Sequence, residues 1–250
     1  MILAASSPKR IAIVCATRNA AATLASMLDS YLAERTAETE LVIVDSCSTD
    51  NTPAILSRYE SCIDRLIVES DRSIYEAWNK GVAASSADYV CFIGADDRLA
   101  SGVVKTLLQL ILENPDADYI HGCNVMCRDG RPVGIIGREY DNRTIEKYMP
   151  MAHVMSAHKR SWLLAHGGFD EGYKSSGDYD FFLRVRDNIR IKWSHTIFAY
   201  VEDAGISRAS MLPLKESHTA RLRNGVNYWK SLYWFCRGVV GMQLRKALGI

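Results

Sequence analysis

The stretch ELVIVDSCSTD, residues 40–50, shows the pattern on which the fold depends. An apolar run ends at Asp45 and is followed by Ser, Thr and Asp, residue types that commonly cap helices. Such a run predicts a strand buried on both faces with a helix after it. Similar apolar runs, each with a polar cluster after it, occupy residues 11–16, 64–69 and 88–93. The first half of the chain therefore predicts βαβαβαβ, a mostly parallel sheet with helices on both faces.

Ligands of such sheets bind outside the carboxyl ends of the strands, where the four polar clusters fall. The last cluster contains two adjacent carboxylates, Asp96 and Asp97, which repel one another at the end of a buried strand. Two interpretations are open. A hard divalent cation such as Mg²⁺ or Mn²⁺ offsets the charge, or the two residues form only a turn and a helix cap.

The second half of the chain has a looser order. We predict helices over residues 101–113, 159–165 and 179–186, and strands over 118–127, 133–137, 151–157 and 189–201. Asp178 and Asp180 begin the last of these helices. They either favour its positive N-terminus or include a general base.

No linker rich in Gly, Pro or Ser separates these segments, so residues 1–215 are predicted to form one domain. Its nucleotide-binding half covers about residues 10–100 and its acceptor half about 101–215. Residues 216–250 are predicted to be a basic tail. Residues 221–248 repeat apolar positions at spacings of three and four, which predicts one amphipathic helix. This helix packs on its own domain, docks on an anionic membrane, or binds a partner helix.

The composition and charge of the chain exclude or disfavour several classes of protein. The chain has 250 residues, of which 48% are hydrophobic and 24% charged, so a disordered chain is excluded. Its net charge is +1, but six basic residues and no acidic ones follow Glu216, which leaves −5 for the body. That distribution is unlike a nucleic-acid-binding face, and we expect no nucleic-acid partner. The expected protein is a cytoplasmic enzyme. No G-x-G-x-x-G opens the first helix, which disfavours a dehydrogenase.

Taken together, five segments resemble the family 2 glycosyltransferases, especially bacterial members that build surface polysaccharides. The resemblance spans roughly residues 10–208, and its carrying segments are IAIVCATRNAAATLASMLDS, ELVIVDSCSTDNT, ESDRSIYEAWNKGVAASSADYVCFIGADD, GGFDE and SGDYDFFLRV. It implies a GT-A fold, a nucleotide-sugar donor (UDP is expected), a saccharide or lipid-linked saccharide acceptor, and transfer with inversion. It also implies Mn²⁺ or Mg²⁺ as cofactor. An acceptor linked to lipid would favour a peripheral position on the inner face of the cell membrane.

The resemblance also implies roles for individual residues. Thr17 and Asn19 would lie beside the nucleotide, Asp45 would meet the base, and Asp71 would lie near the nucleotide. Lys80 and Arg72 are candidates for a phosphate contact.

The remaining roles concern the metal and the reaction. Asp96 matches the carboxylate that coordinates the cation, and this cation bridges the diphosphate. Asp97 is its neighbour toward the sugar. Asp178 matches the catalytic base. His195 is the candidate for a late metal or diphosphate contact, and Arg208 for a phosphate contact.

Three positions depart from the family pattern. Gly94 stands where many members have the first Asp of D-x-D, Trp78 where other branches have Arg, and Gly177 where an acid often precedes the base. The alternative function is therefore a catalytically degenerate module that binds nucleotide sugars without turnover. A sugar-phosphate nucleotidyltransferase is disfavoured, because the loop after the first strand, ATRNAA, has no glycine.

Overall fold

The computed structural model describes residues 9–203 and 210–248, and main-chain atoms only for residues 245–248. Its strands are β1 (Ile11–Thr17), β2 (Thr39–Asp45), β3 (Arg65–Val68), β4 (Tyr89–Gly94), β5 (Arg98–Leu99), β6 (Tyr119–Arg128), β7 (Arg131–Ile136), β8 (Ala157–Lys159) and β9 (Ile191–Glu202).

The helices are α1 (Leu24–Glu34), α2 (Thr52–Arg58), α3 (Ile74–Ala84), α4 (Val103–Glu113), α5 (Asn142–Ile145), α6 (Arg160–Ala165), α7 (Gly177–Val185), α8 (Leu212–Arg223) and α9 (Tyr228–Leu248), with a 3₁₀ turn at Glu60–Cys62. Among the described residues, none of these helices is long and apolar enough to cross a membrane.

All the strands lie in one sheet, in the order β3-β2-β1-β4-β8-β6-β9-β5, with β7 paired to β6. Strands β3, β2, β1 and β4 are parallel, and so are β6 and β9, whereas the remaining pairs are antiparallel and mostly short. The register sets Thr17 beside Asp45 and Ala16 beside Gly94, so the polar residues after β1, β2 and β4 meet at one edge. The predicted α/β class with a mostly parallel central sheet is confirmed.

Helices cover both faces because alternate residues of β1 point to opposite sides of the sheet. Ile11 and Ile13 belong to the same core cluster as α1, whereas Ala12 and Val14 share the opposite cluster with α3. Helix α3 lies very close to β1 at Gly81, where a Cβ atom would come within 2.3 Å of Val14 Cγ1. This close contact fixes the position of α3, which supplies several residues of the site described below.

Two predicted elements differ from the structure. The predicted strand 151–157 is reduced to β8 and one isolated bridge, because residues before 157 form a tight turn that includes Met155 at φ 60°. The single helix predicted over 221–248 is two helices. Gly225, at φ 76°, adopts a left-handed conformation that ends α8 before α9 begins.

The predicted boundary at residues 215/216 falls inside α8, which packs on α7. Helix α9 in turn packs on α8, and a Cβ atom at Gly238 would lie 2.6 Å from the Leu214 side chain. Helix α8 therefore contacts the body directly, and α9 contacts it both through α8 and through the ion pair of Lys230 with Glu146. The domain limits themselves stay a prediction.

Candidate active site

The loops after β1 and β2 are hydrogen-bonded to each other at the edge of the sheet. Asp45 is buried and accepts hydrogen bonds from the main-chain N–H and the hydroxyl of Ser48. Ser48 Oγ accepts from the main-chain N–H of Asn19 at 2.8 Å, and Ser46 N donates to Thr17 O at 2.9 Å. Three of the predicted nucleotide contacts, Thr17, Asn19 and Asp45, therefore lie together.

Asp71 and Lys80 form an ion pair next to this loop pair. Asp71 N donates to Ser46 Oγ at 3.0 Å, and Lys80 Nζ lies 2.8 Å from Asp71 Oδ1 and 3.1 Å from Glu69 Oε2. The hydrogen bond with Asp71 is the main reason that the pKa of Lys80 is raised. Lys80 is thus a cation bound to two carboxylates in the structure, and its contact with phosphate stays a prediction.

The two carboxylates after β4 have different surroundings. Asp96 is exposed, whereas Asp97 is buried and accepts hydrogen bonds from Gly94 N at 3.0 Å and Glu202 N at 3.2 Å. Burial, and secondly the charge of Asp96, raises the pKa of Asp97 to about 7. A Cβ atom at Gly94 would lie 2.7 Å from Asp96 Oδ1 and 2.9 Å from Asp97 Oδ2. Gly94 therefore leaves room for both carboxylates to turn back over the end of the strand.

This turn offers oxygen ligands, the type that Mg²⁺ and Mn²⁺ prefer, and an exposed carboxylate at Asp96 to which a cation has access. Within residues 9–203 and 210–248, no group of three or more His, Cys, Asp or Glu side chains is arranged to hold a metal ion. The residues present therefore fit a cation that takes most of its ligands from substrate phosphates and water, as Mg²⁺ commonly does.

His195 lies earlier in β9 than the residues that reach this turn, and its predicted contact with the same metal stays a prediction. The pairing of Arg98 with Tyr200 brings the last residues of β9 to the turn. His195 precedes them in a bulged part of β9, where its exposed ring packs at a tilted angle against Trp193, with ring centroids 4.1 Å apart. The extra residues of the bulge have no partners on β6 and displace His195 from the regular strand. Arg208, the other late candidate, lies outside the described residues.

Asp178 lies in the first turn of α7 and is held by a residue that the sequence analysis missed. Asp178 Oδ1 accepts a hydrogen bond from the hydroxyl of Tyr75 at 3.0 Å and another from Tyr179 N at 2.9 Å. Tyr75 is buried, and burial, with the Asp178 charge second, raises the pKa of its phenol well above the ordinary value. Tyr75 lies within the quoted IYEAWNKG segment, but nothing in its spacing distinguishes it from a core aromatic residue.

An aromatic cluster connects Asp178 to the end of β4. It consists of Tyr75, Trp78, Phe92, His153 and Phe169. Trp78 packs edge-on against Tyr75, stacks on His153 at 4.9 Å, and contacts Phe92, which lies two residues before Gly94. Trp78 is therefore a packing residue here, at the position where other branches of the resembled family carry Arg.

His153 lies within the electrostatic reach of Asp178. Burial lowers the pKa of His153, and the negative charge of Asp178 opposes that shift. No described residue forms a hydrogen bond with His153 Nε2 or Trp78 Nε1. The cluster that connects Asp178 to the end of β4 thus contains two buried ring nitrogens that have no hydrogen-bond partner among the described residues.

Glu216 is a second residue that the sequence analysis missed. Its carboxylate accepts hydrogen bonds from the main-chain N–H groups of Lys174, Ser175 and Ser176, at 2.8 to 2.9 Å. These three residues immediately precede α7 and its Asp178. A residue of α8 therefore holds the loop that presents the carboxylate, although the sequence boundary assigned it to the tail.

Comparison with known proteins adds the following. The glycosyl transferase family 2 model matches residues 12–163. A PGL/p-HBAD biosynthesis glycosyltransferase of Mycobacterium bovis is 28% identical over 203 residues, covering 78% of each chain. The putative teichuronic acid biosynthesis glycosyltransferase TuaG of Bacillus subtilis is 29% identical, over 49% of this chain and 50% of TuaG.

Two solved structures share the fold. S. aureus TarS 1-349 in complex with UDP-GlcNAc aligns with a TM-score of 0.67 at 19% identity, covering 90% of this chain and 70% of TarS 1-349. The mannosyltransferase PcManGT of Pyrobaculum calidifontis, in complex with GDP-Man and Mn²⁺, aligns with a TM-score of 0.62 at 15% identity, covering 97% and 81%. The chain has the GT-A fold and belongs to glycosyltransferase family 2.

Proposed function

We propose that this protein transfers one sugar from a UDP-sugar to a hydroxyl of a saccharide or lipid-linked saccharide, with inversion, in cell-surface polysaccharide synthesis. The observation that carries the proposal is the arrangement of carboxylates. Asp96 and Asp97 lie at the end of β4, and Asp178 lies across the aromatic cluster from them. The biosynthetic roles named for the mycobacterial and Bacillus relatives support the product class.

The donor side of the proposal uses the strand ends. Asp45 and Asp71 are acceptors for the N–H and hydroxyl groups of a nucleoside, and Thr17 and Asn19 line the same edge. Thr17 Oγ1 is buried without a hydrogen-bond partner among the described residues. Asp97 is proposed to lie next to the sugar of the donor, and Lys80 next to its phosphates. The TarS complex with UDP-GlcNAc supports UDP as the nucleotide.

Asp96 is the proposed metal ligand, and His195 is the proposed later contact to the metal or the diphosphate. A bound divalent cation would neutralise the charge that develops on the departing diphosphate. Burial, and secondly the charge of Asp96, raises the pKa of the neighbouring Asp97 to about 7, so a charged carboxylate is costly at this turn.

Asp178 is the proposed catalytic base. The acceptor oxygen attacks the anomeric carbon from the face opposite the diphosphate, and its proton passes to the Asp178 carboxylate. A bond forms between the acceptor oxygen and the anomeric carbon, while the bond from that carbon to the phosphate oxygen breaks. A single displacement of this kind inverts the configuration.

The donor class is tested by calorimetric titration with UDP, GDP and CMP, each with and without Mn²⁺. We expect UDP to bind best, and Mn²⁺ to increase its affinity about tenfold, which corresponds to about 1.4 kcal/mol. The Asp96→Ala variant should lose the effect of Mn²⁺. The control variant Asp116→Ala removes a carboxylate that is 89% exposed near Arg190 and should retain it.

The outcomes separate the alternatives. Binding of no nucleotide under any condition would contradict the transferase proposal. Binding of UDP without release of UDP from any UDP-sugar, on any acceptor, would instead favour the degenerate binding module.

We further propose that α9 places the enzyme on the cytoplasmic, inner face of an anionic membrane. Along one side of α9, apolar residues recur at spacings of three and four, and four of them are exposed by more than half: Trp229 (73%), Tyr233 (58%), Val240 (58%) and Leu244 (57%). Trp and Tyr favour the membrane interface, and the exposed Arg237 of the same helix favours anionic headgroups. Of the other basic residues, Arg221 is buried, and Arg223 and Lys230 form ion pairs with the body. Such a position would give access to lipid-linked acceptors.

Co-sedimentation with vesicles tests this surface. We expect binding to phosphatidylcholine vesicles that contain phosphatidylglycerol, and weaker binding to phosphatidylcholine alone. Replacing Trp229 and Tyr233 together by Glu should reduce the binding about a hundredfold or more, since burial of each aromatic ring contributes about 1.5–3 kcal/mol. The control is Leu112→Glu, at a 63% exposed position of α4. Equal loss in both variants, or a stable dimer through α9 with no vesicle binding, would contradict the proposal.

A further inference from the structure

The two oxygens of the Asp178 carboxylate have different surroundings. Oδ1 accepts both the Tyr75 hydroxyl and the Tyr179 main-chain N–H, whereas no described residue donates a hydrogen bond to Oδ2. The side chain is partly exposed. One oxygen is therefore fixed by the protein and the other is available to a ligand.

The ring of Tyr75 is fixed on three sides. It meets Trp78 edge-on at 5.3 Å and Phe169 at 5.7 Å between ring centroids. Phe169 is held in turn, because the Asn79 side chain accepts from Phe169 N at 3.0 Å and donates to Phe169 O at 2.9 Å. With its ring held in this way, the hydroxyl oxygen stays within hydrogen-bond distance of Asp178 Oδ1.

Gly177 forms the remaining wall. A Cβ atom at this position would lie 2.8 to 2.9 Å from three ring carbons of Tyr75. The ring therefore occupies the space that any other side chain at position 177 would need. The glycine, which departs from the resembled family pattern, is what permits Tyr75 to reach Asp178.

From these contacts we propose that Tyr75 is a positioning residue that selects Oδ2 of Asp178 as the oxygen that receives the acceptor proton. This inference rests on the proposed role of Asp178 as the base. The Tyr75 hydroxyl keeps its own proton and donates it in a hydrogen bond to Oδ1, while the acceptor O–H proton passes to Oδ2. Without the phenol, the carboxylate keeps only the Tyr179 N–H and can turn away from the attack geometry.

The test is Tyr75→Phe, which keeps the ring and removes the hydroxyl. The assay follows UDP release from UDP-sugars in the presence of Mn²⁺ with water as acceptor, using UDP-Glc, UDP-Gal, UDP-GlcNAc and UDP-GalNAc. We expect kcat to fall about tenfold to a hundredfold, because one hydrogen bond to a charged group is lost. The donor KM and the Kd of UDP should stay within about twofold. Tyr75 donates its hydrogen bond to Asp178, the proposed catalytic base, and not to the nucleotide loops.

Tyr173→Phe is the matched control. Tyr173 is also buried and donates to a carboxylate of α7, Asp180 Oδ1, at 3.1 Å. It should keep kcat within about twofold, and both variants should unfold at similar temperatures. Unchanged kcat in Tyr75→Phe would overturn the proposal, as would equal losses of kcat in the two variants or a loss of UDP affinity confined to Tyr75→Phe. If Asp178→Asn itself retained full activity, the base assignment would fail first, so the two failures are distinguishable.

Discussion

Replacing Asp178 by Asn is expected to lower kcat by about 10²–10⁴-fold, the usual contribution of a positioned general base. The amide oxygen can still accept the Tyr75 and Tyr179 hydrogen bonds, so the loop should keep its structure. The amide does not take up a proton at neutral pH. Transfer and UDP release should both collapse, while calorimetry should show UDP binding unchanged, because the hydrogen bonds of Asp178 go to Tyr75 and Tyr179 and not to the proposed nucleotide contacts.

Asp180→Asn is the control for this prediction. Asp180 is the other acidic residue in the first turn of α7, and its Oδ1 already accepts hydrogen bonds from Tyr173 and Asn224. Its substitution should leave kcat within a fewfold of the original value. Loss of turnover in Asp180→Asn but not in Asp178→Asn would reverse the assignment of the base.

Gly94→Asp, which recreates the D-x-D pattern of other family members, is expected to inactivate this enzyme instead of improving it. The new Cβ atom would lie within 3 Å of the carboxylates of both Asp96 and Asp97. A third negative charge would also be added where the pKa of Asp97 is already raised to about 7. We expect kcat/KM with Mn²⁺ to fall about a hundredfold, since a bound metal contributes several kcal/mol.

Gly94→Ala separates the two causes, because it adds the Cβ atom without the charge. It should show a smaller but clear loss of the Mn²⁺ effect on UDP affinity. Increased Mn²⁺ affinity in Gly94→Asp would contradict this prediction. It would mean that the turn accommodates the new side chain, and that the wild-type chain simply lacks a metal ligand at position 94. If Mn²⁺ increased UDP affinity in both variants as much as in the wild type, this turn would not be the metal site.

The nucleotide half of the fold was predictable because its signals are local. Residues 40–45 and the three similar runs form β1 to β4 within one residue of the predicted ends. Their polar ends come together, as the parallel topology requires. The same logic placed Thr17, Asn19 and Asp45 at one edge.

The rest of the site depends on contacts between residues far apart in the sequence. Tyr75 and Asp178 are 103 residues apart, and Glu216 is 40 to 42 residues from the main-chain groups that it binds. The spacing of apolar residues along the sequence does not predict contacts over such distances. The bulge in β9 that contains His195 is set for a related reason by the pairing of β9 with β6 and leaves no mark in the sequence.

The hydrogen bonds of Glu216 bear on how this chain can diverge. Two segments, the approach to α7 and the start of α8, must fit each other for the proposed base to be presented correctly. Exchange of the C-terminal region between relatives at residue 215 would separate them, whereas exchange after Gly225 would keep them together. Beyond Gly225 the chain can therefore change without separating these two segments, whereas the part of α8 before it has to change together with the approach to α7.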